Sequence, residues 1–265
     1  MEIIPLGTNG FFASFGRQTA CYAIPYGNIL ILLDAGSGLF RLVEKEGRKL
    51  LHNAKEVHIF LSHYHLDHVF GFYAAFEILK KKKVTVFSYE GRKIFSELCS
   101  LNHFPIDYQK KHKNFSWKAI GEGSQKINSY QVSVKKQNHR GEVSLAFRFK
   151  FSGKKMTDIS YVTDSEPTQG LVEFIDGTQI LLCEHTESGS KHKKRKNQKL
   201  EDQILDGHTT SIGAAMIAKK AKIERLFLIH HKPLNNKKNL RQQLKIAKKV
   251  FFPTNLTFDL IRIKS

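Results

Sequence analysis

Between residues 62 and 68 the chain reads Ser62-His63-Tyr64-His65-Leu66-Asp67-His68, which places four metal-binding side chains within six residues. This stretch directly follows the apolar run Val57–Leu61, whose composition is typical of a buried strand. Imidazole nitrogens and carboxylate oxygens suit zinc, iron or manganese, and a loop at a strand end can turn alternate side chains toward different ions. We therefore expect a site for two metal ions. The alternative is a histidine-rich turn that satisfies its own hydrogen bonds, and further candidate ligands downstream disfavour it.

The length and composition predict a single α/β domain over residues 1–265, because no linker rich in proline, glycine or serine divides the chain. The first residues lack the basic and apolar regions of a signal peptide, and no apolar run approaches the roughly 18 residues of a membrane span. We expect a cytoplasmic protein with no membrane partner.

Cys21, Cys99 and Cys183 show no CxxC spacing, which disfavours a disulfide framework and predicts buried thiols.

The chain is strongly basic, with 43 Lys and Arg residues against 24 Asp and Glu residues and a formal net charge of +19. A positive surface favours an anionic partner and steers it toward the protein. The cations cluster in Lys80–Lys83, Lys110–Lys113, Lys191–Lys199 and the segment 232–249. A basic face that is merely solvated explains the excess equally well.

Hydrophobic patterning predicts more strands than helices. Apolar or alternating runs predict strands over Ile29–Leu33, Val57–Leu61, Val84–Phe87, Tyr130–Val134, Leu145–Phe151, Ile159–Val162, Gln179–Leu182, Leu226–Ile229 and Leu256–Ile263. Helical spacing predicts helices over Phe72–Leu79, Arg92–Leu101 and Ile212–Ala221, and one on which Leu240, Leu244, Ala247 and Phe251 share a face. This order suits two sheets packed face to face with helices outside.

Further candidate ligands follow other predicted strands. Asp34 ends the first strand, where an aspartate that only caps the turn is the alternative. His139 precedes an alternating run and, taken alone, would be a surface histidine. Asp164 closes a buried strand, where an unpaired carboxylate is costly and a metal ion would be a suitable partner. His230 and His231 follow another strand, and either can complete a metal site.

Taken in order, these motifs resemble those of metallo-β-lactamase-fold hydrolases, and within that superfamily the tRNase Z and small phosphodiesterase branch. The resemblance covers nearly the whole chain and implies a four-layer αββα sandwich. It also implies two divalent metal ions, zinc in the first place with manganese or iron as alternatives. The implied ligands are His63, His65 and His139 for one ion, Asp67, His68 and His230 for the other, with Asp164 bridging and Asp34 as the buried aspartate of the first motif. His230 is preferred to His231 because the family's ligand is the first residue after the strand.

Two elements carry the resemblance to this branch. The stretch Asp206–Thr210 resembles the family's GHST element, and Leu182–Thr186 resembles its HEAT element. Together they imply that His208 protonates the leaving oxygen while Glu184 orients it. The alternatives are a histidine at a helix N-terminus without a catalytic part, and a surface carboxylate.

The chain also departs from the tRNase Z pattern. His139 and Asp164 are only 25 residues apart, which leaves no room there for the long arm that clamps tRNA in that family. The last motif reads His230-His231-Lys232-Pro233, with a lysine where compact relatives have an acid. The missing arm favours a small substrate, such as a cyclic nucleotide or cyclic phosphate.

We therefore predict a metal-dependent phosphodiesterase with Asp67, His208 and Glu184 as catalytic residues. Lys193, Lys194, Arg195 and Lys196 are expected to bind substrate as part of a basic flap, although a disordered solvated loop explains that run equally well. Three alternatives remain: an RNA-processing endonuclease of tRNase Z type, a thioester or lactam hydrolase, and a non-catalytic member that binds nucleic acid. The patterns leave the oligomeric state open.

Overall fold

The computed structural model describes residues 1–93, 112–153, 156–187 and 199–265. The chain divides into two compact units, the first formed by Met1–Ile120 with Phe258–Lys264 and the second by Gly121–Thr257 with Ser265. The single domain expected from the sequence stays a prediction. No helix within the described ranges is both long enough and apolar enough to cross a membrane.

The first unit contains a seven-stranded sheet in the order β16-β1-β2-β3-β4-β5-β6. Its strands are β1 (Glu2–Gly7), β2 (Cys21–Tyr26), β3 (Ile29–Leu33), β4 (Glu56–Phe60), β5 (Lys83–Ser88), β6 (Phe115–Ala119) and β16 (Ile263–Lys264). Its helices are a 3₁₀ helix (Ser37–Val43), α1 (Lys45–Asn53), α2 (Leu66–Val69) and α3 (Phe72–Ile78). Strands β3 to β6 run parallel to one another, whereas β1, β2 and β16 pair in antiparallel fashion.

The central strands of the first unit position its functional loops. The apolar run of β3 is buried throughout, and it pairs in parallel with β4 so that Leu33 lies opposite Phe60. Parallel strands end at the same edge of a sheet, so the residues that follow β3 and β4 are neighbours. An apolar cluster that includes Leu32, Leu39 and Phe72 packs the sheet against its own helices.

The second unit contains a seven-stranded sheet in the order β15-β14-β11-β10-β9-β8-β7 and a two-stranded ribbon. The sheet strands are β7 (Gly123–Ile127), β8 (Tyr130–His139), β9 (Glu142–Phe151), β10 (Thr157–Val162), β11 (Ile180–Glu184), β14 (Arg225–Ile229) and β15 (Thr254–Leu256). The ribbon is β12 (Ile204–Leu205) with β13 (His208–Thr209), and the helices are α4 (Gln169–Phe174), a 3₁₀ helix (Glu201–Gln203), α5 (Ser211–Lys220) and α6 (Lys237–Val250).

Parallel pairing again gathers the strand ends of the second unit at one edge. Strands β10, β11, β14 and β15 are parallel, with Val162 opposite Cys183 and Glu184 opposite Ile229. The residues after β10 and β14 and the last residue of β11 are therefore close to one another. Behind the sheet, an apolar cluster that includes Leu171, Ala214 and Ala247 packs helices α4, α5 and α6 onto it.

Most predicted elements are present, with three kinds of difference. The predicted strand Leu256–Ile263 is wrong, because only its two ends are strand, while Leu260 has a φ of 65° in the turn between them. Asp259 in the same turn accepts hydrogen bonds from the Thr8 hydroxyl and the Gln18 backbone N–H, which an alternating apolar pattern does not reveal. The helix predicted over Arg92–Leu101 lies mainly outside the described residues. The elements that were not predicted include strands β1, β2, β6, β7, β12 and β13 and helices α1, α2 and α4.

Candidate metal centre

Asp34 lies at the centre of the polar network in the first unit. It directly follows β3, is fully buried, and has a φ of 58°, a left-handed conformation that non-glycine residues rarely adopt. Its carboxylate accepts hydrogen bonds from the Ser62 backbone N–H at 2.7 Å, the Ser62 hydroxyl at 2.8 Å and His68 Nδ1 at 2.7 Å. Asp34 therefore does more than cap a turn, because it holds the loop that carries the first four candidate ligands.

This network sets the protonation of two histidine rings. A carboxylate can only accept, so the proton of His68 lies on Nδ1. The Ser62 hydroxyl donates to Asp34, so His63 Nδ1, 3.0 Å from that hydroxyl oxygen, must donate to it. In the neutral rings, the Nε2 atoms of His63 and His68 then carry lone pairs, and metal-binding histidines are characteristically oriented by such bonds on the other nitrogen. The donor set fits a divalent metal ion.

The remaining candidate ligands of this loop, His65 and Asp67, lie beside those two rings. The ring centroids of His63 and His65 are 4.5 Å apart, and those of His63 and His68 are 4.3 Å apart. Asp67 Oδ2 lies 3.3 Å from His68 Nε2 and accepts the backbone N–H of Phe11 at 2.7 Å. The structure thus brings together the four residues of the sequence motif within the first unit.

Asp164, His230 and His139 form a corresponding group in the second unit. Asp164 and His230 follow β10 and β14, and both have left-handed backbones, with φ of 45° and 55°. His230 Nε2 lies 3.3 Å from Asp164 Oδ2, and His139 Nε2 lies 3.8 Å from Asp164 Oδ1. His139 Nδ1 donates to the carbonyl oxygen of Gly207 at 3.0 Å, which in a neutral ring leaves the lone pair on Nε2. Strained backbone of this kind is typical of functional positions.

The two adjacent histidines after β14 have different surroundings. His231 is fully buried, with Nδ1 2.7 Å from His185 Nε2 and Nε2 2.8 Å from the carbonyl oxygen of Thr257. Both of its ring nitrogens are therefore occupied within the protein, whereas His230 Nε2 faces Asp164. This geometry favours His230 as the ligand. Lys232, the departure from the family pattern, forms an ion pair with Glu187 at 2.8 Å.

Glu184 and His208 form a pair in which the carboxylate is buried and the imidazole is partly exposed. Glu184 is fully buried, so the alternative of a surface carboxylate is wrong. Its Oε1 accepts the backbone N–H of Ser165 at 2.6 Å, and its Oε2 lies 2.8 Å from His208 Nδ1. Burial by itself lowers the pKa of His208, but the charge and hydrogen bond of Glu184 and the charge of Asp164 outweigh it and raise this pKa to about 9.

One group of side chains in the second unit could serve either to bind a metal ion or to donate a proton. Asp164, Glu184, His208 and His230 have ligand atoms close enough together to share a metal ion. A protonated imidazole cannot bind a metal, because both of its nitrogens carry protons. In the metal-free protein the raised pKa of His208 therefore favours a proton donor held by Glu184, with Asp164 and His230 left as candidate ligands.

Some supporting residues were not predicted from the sequence. His185 contacts His231 and also places Nδ1 2.9 Å from the Ser211 hydroxyl at the start of α5. Arg140 forms an ion pair with Asp206 next to Gly207, the residue that accepts from His139. The histidine next to Glu184 was the available signal, but its partner lies 46 residues further along the chain.

Some predicted features cannot be placed in the structure. The proposed substrate-binding residues Lys193, Lys194, Arg195 and Lys196 lie outside the described residues, as does Cys99. Cys21 and Cys183 are buried thiols, as expected.

Comparison with known proteins gives concordant results. The sequence model of the family described as "Beta-lactamase superfamily domain" matches residues 30–231. Ribonuclease Z of Picrophilus torridus is 27% identical over an alignment of 312 residues that covers 98% of this chain and 94% of the relative. The metallo-beta-lactamase fold protein YhfI from Bacillus subtilis is similar with a TM-score of 0.73 at 19% identity, over 99% of both chains. The short form of human tRNase Z gives a TM-score of 0.67 at 18% identity, over 100% of this chain and 99% of that chain. The predicted metallo-β-lactamase fold is confirmed.

Proposed function

The chain belongs to the β-lactamase superfamily and is a metal-dependent hydrolase, and from that premise we propose that it cleaves a phosphodiester bond. The observation that carries this proposal is the pair of the buried Glu184 and the partly exposed His208 beside Asp164. A phosphodiester requires protonation of a poor alkoxide leaving group, and a protonated histidine fixed by a carboxylate is suited to that task.

We propose that seven imidazole and carboxylate side chains hold two divalent ions. The assigned ligands are His63, His65 and His139 for one ion, Asp67, His68 and His230 for the other, and Asp164 for both. When bound, two divalent cations neutralise the charge of the phosphate and lower the pKa of the attacking water. Zinc suits this set of imidazoles and carboxylates, and manganese and iron are the alternatives.

The protein's own groups then hold and deliver protons. Nδ1 of His208 donates to Glu184 at 2.8 Å, so a second proton on Nε2 is the one that can reach a leaving oxygen. Glu184 keeps the ring in this orientation, since its other oxygen is fixed by the backbone N–H of Ser165. Asp34 plays the corresponding part for His68 and, through Ser62, for His63.

Two substrate classes are supported by different observations. The separation of only 25 positions from His139 to Asp164 favours a small cyclic or dinucleotide substrate. The relation to ribonuclease Z along nearly the whole chain favours an RNA-processing endonuclease instead. The alignment with that relative is longer than this chain, so the relative has segments that this chain lacks.

A substrate screen tests the proposal. Metal-depleted protein is reloaded with zinc or manganese and assayed against 2′,3′-cyclic nucleotides, dinucleotides and short RNAs that carry 3′ extensions. We expect metal-dependent hydrolysis that His208→Gln reduces and that His52→Gln, a change at an exposed histidine of α1, leaves intact. Hydrolysis of a thioester or a lactam without any phosphodiester cleavage would contradict the proposal.

We also propose that the basic run captures the anionic substrate. Replacing Lys193, Lys194, Arg195 and Lys196 with serine or glutamine should raise KM at low ionic strength and leave kcat nearly unchanged, because only binding common to substrate and transition state is removed. An unaltered KM would show that the run is a solvated loop.

A further inference from the structure

The loop between β1 and β2 presents three phenylalanine rings to solvent. Within the aromatic loop, defined as Gly10–Gly16, Phe11, Phe12 and Phe15 are 79%, 42% and 62% exposed. Phenylalanine is usually buried, and a group of neighbouring apolar side chains exposed to solvent marks a surface that binds a ligand or a partner. The sequence motifs and the proposed chemistry leave this loop without a role.

The aromatic loop is built so that these rings point outward. Asn9 is fully buried, and its Nδ2 donates to the carbonyl oxygen of Phe12 at 3.1 Å and to the Ser14 hydroxyl at 2.9 Å. Arg17, also buried, donates from Nε to Asn9 Oδ1. The backbones of Ser14 and Arg17 exchange hydrogen bonds at 3.0 and 2.9 Å. Because buried polar contacts fix the loop, exposure of the rings is a property of the fold.

The backbone of the loop is strained at two of the rings. Phe11 has a φ of 57° and Phe15 a φ of 50°. Glycine adopts this conformation without a steric cost, whereas a bulky side chain there is a genuine outlier. Strain of this kind persists at binding and catalytic positions, where the surrounding structure enforces it.

The aromatic loop is also joined to a candidate metal ligand. The backbone N–H of Phe11 donates to Asp67 Oδ2 at 2.7 Å, across 56 residues of sequence. The rings of Phe11 and Phe12 lie edge to face, with centroids 5.3 Å apart and planes at 64°, and both remain open to solvent. Phe15 instead packs under Arg17, whose guanidinium carbon is 5.5 Å from the ring centroid. Phe11 and Phe12 are therefore the two open rings of the loop, and the backbone of Phe11 joins them to Asp67.

We propose that Phe11 and Phe12 form a stacking subsite for the base of a nucleotide substrate. This inference rests on the proposed phosphodiesterase function and specifies that the substrate carries a nucleobase. A base has a flat π face that stacks on an exposed aromatic side chain regardless of its sequence identity. In a nucleotide only one ribose separates the base from the phosphate. Because the backbone of Phe11 bonds Asp67, a base stacked on the Phe11 ring would bring its phosphate toward that residue. The net charge of +19 suits the same anionic ligand.

Two phosphodiesters with one leaving group test the subsite. Thymidine 5′-(p-nitrophenyl phosphate) and methyl p-nitrophenyl phosphate both release p-nitrophenolate, but only the first carries a base. Stacking contributes enough that Phe11→Ser or Phe12→Ser should lower the ratio of kcat/KM for the two esters by about 5- to 150-fold, mainly through KM. Phe11→Tyr keeps the aromatic ring and should keep the ratio. Phe252→Ser is the matched control, because Phe252 is 78% exposed and lies in the second unit.

The outcomes separate the subsite from the chemistry. Hydrolysis of both esters with an unchanged ratio in Phe11→Ser and Phe12→Ser would overturn the subsite and leave the phosphodiesterase proposal intact. If neither ester is hydrolysed, the phosphodiesterase proposal fails, and calorimetric titration with adenosine monophosphate decides the subsite. Weaker binding in both variants supports it, and equal binding overturns it. A third outcome is a wild type that sediments as a dimer and variants that sediment as monomers, with the same kcat/KM ratio for the two esters. That outcome would overturn the subsite and show that the rings bind a second copy of the chain.

Discussion

Replacing Asp34 with asparagine should weaken metal binding while keeping the fold. Asparagine preserves the shape of the side chain and tolerates the left-handed φ of 58°. The backbone N–H of Ser62 can only donate, so it keeps the amide oxygen on its own side. The amide nitrogen, which is a donor, then takes the place of the oxygen that now lies 2.7 Å from His68 Nδ1 and cannot accept its proton. The ring is then driven to carry its proton on Nε2, the nitrogen assigned to the metal.

The size of the effect follows from this loss of orientation. Removing a partner that orients a metal-binding histidine typically costs 10- to 100-fold in affinity, or about 1.4 to 2.7 kcal/mol. The affinity is measured by competition of zinc against a chromophoric chelator, with urea unfolding of the metal-free protein as the measure of stability.

Asp259→Asn is the matched control for this prediction. Asp259 is another carboxylate of the first unit with little exposure, and it accepts hydrogen bonds from Thr8 and Gln18 but contacts none of the assigned ligands in the bonds described. The Asp259→Asn variant should have a lower free energy of unfolding and an unchanged affinity for zinc. Equal zinc affinity in Asp34→Asn and Asp259→Asn would refute the argument that Asp34 sets the tautomer of His68.

Four further predictions concern the assigned ligands, the proton donor and helix α6. Asp67→Ala should abolish phosphodiesterase activity by removing a ligand, whereas His231→Ala should be much milder. His208→Ala should slow an alkyl phosphodiester by roughly a hundred- to ten-thousand-fold and bis-p-nitrophenyl phosphate far less, because p-nitrophenolate departs without a general acid. In metal-free protein, protonated His208 stabilises the folded state, and its pKa is raised to about 9. This contribution to the free energy of unfolding is complete below pH 6.5 and is lost as the pH rises through about 9. His208→Gln should therefore flatten that part of the profile of stability against pH. Lys237→Glu and Lys238→Glu, in the first turn of α6, should each raise the free energy of unfolding by about 0.3–1 kcal/mol, because cations oppose the helix dipole there.

Each of these predictions has a result that would contradict it. Loss of metal in His231→Ala but not in His230→Ala would reverse the choice between the two histidines. Equal losses on the alkyl and aryl esters, at unchanged metal content, would remove the acid role of His208. Parallel pH–stability curves for the wild type and His208→Gln would contradict the raised pKa. Lys248→Glu, in the last turn of α6, should have the opposite sign to Lys237→Glu, and a shared sign would exclude the dipole as the cause.

Much of the candidate site could be predicted because its candidate ligands follow strands. A buried apolar run that ends in a polar residue is readable along the sequence, and parallel pairing then brings such ends to one edge of a sheet. Asp34 beside Ser62 and Asp164 beside His230 are of this kind. Continuous apolar runs could also locate β10 and β14, because both strands are buried along nearly their whole length.

The contacts that could not be predicted join distant parts of the chain. The bond from Phe11 to Asp67 and the contact between His185 and His231 depend on how loops are placed, which no local pattern encodes. The burial of Glu184 depends on the strands on either side of it, since the residue itself is of a type usually found at the surface. Exposure of Phe11 runs against the usual burial of aromatic residues.

The most direct test of the two-metal assignment is anomalous X-ray diffraction from crystals of the zinc-loaded protein. We predict two zinc ions about 3.5–4 Å apart, with histidine nitrogens at roughly 2.0–2.1 Å. The side chains in contact with them should be His63, His65, Asp67, His68, His139, Asp164 and His230. A single zinc ion, or zinc bound by His231 with Asp164 uninvolved, would contradict the account.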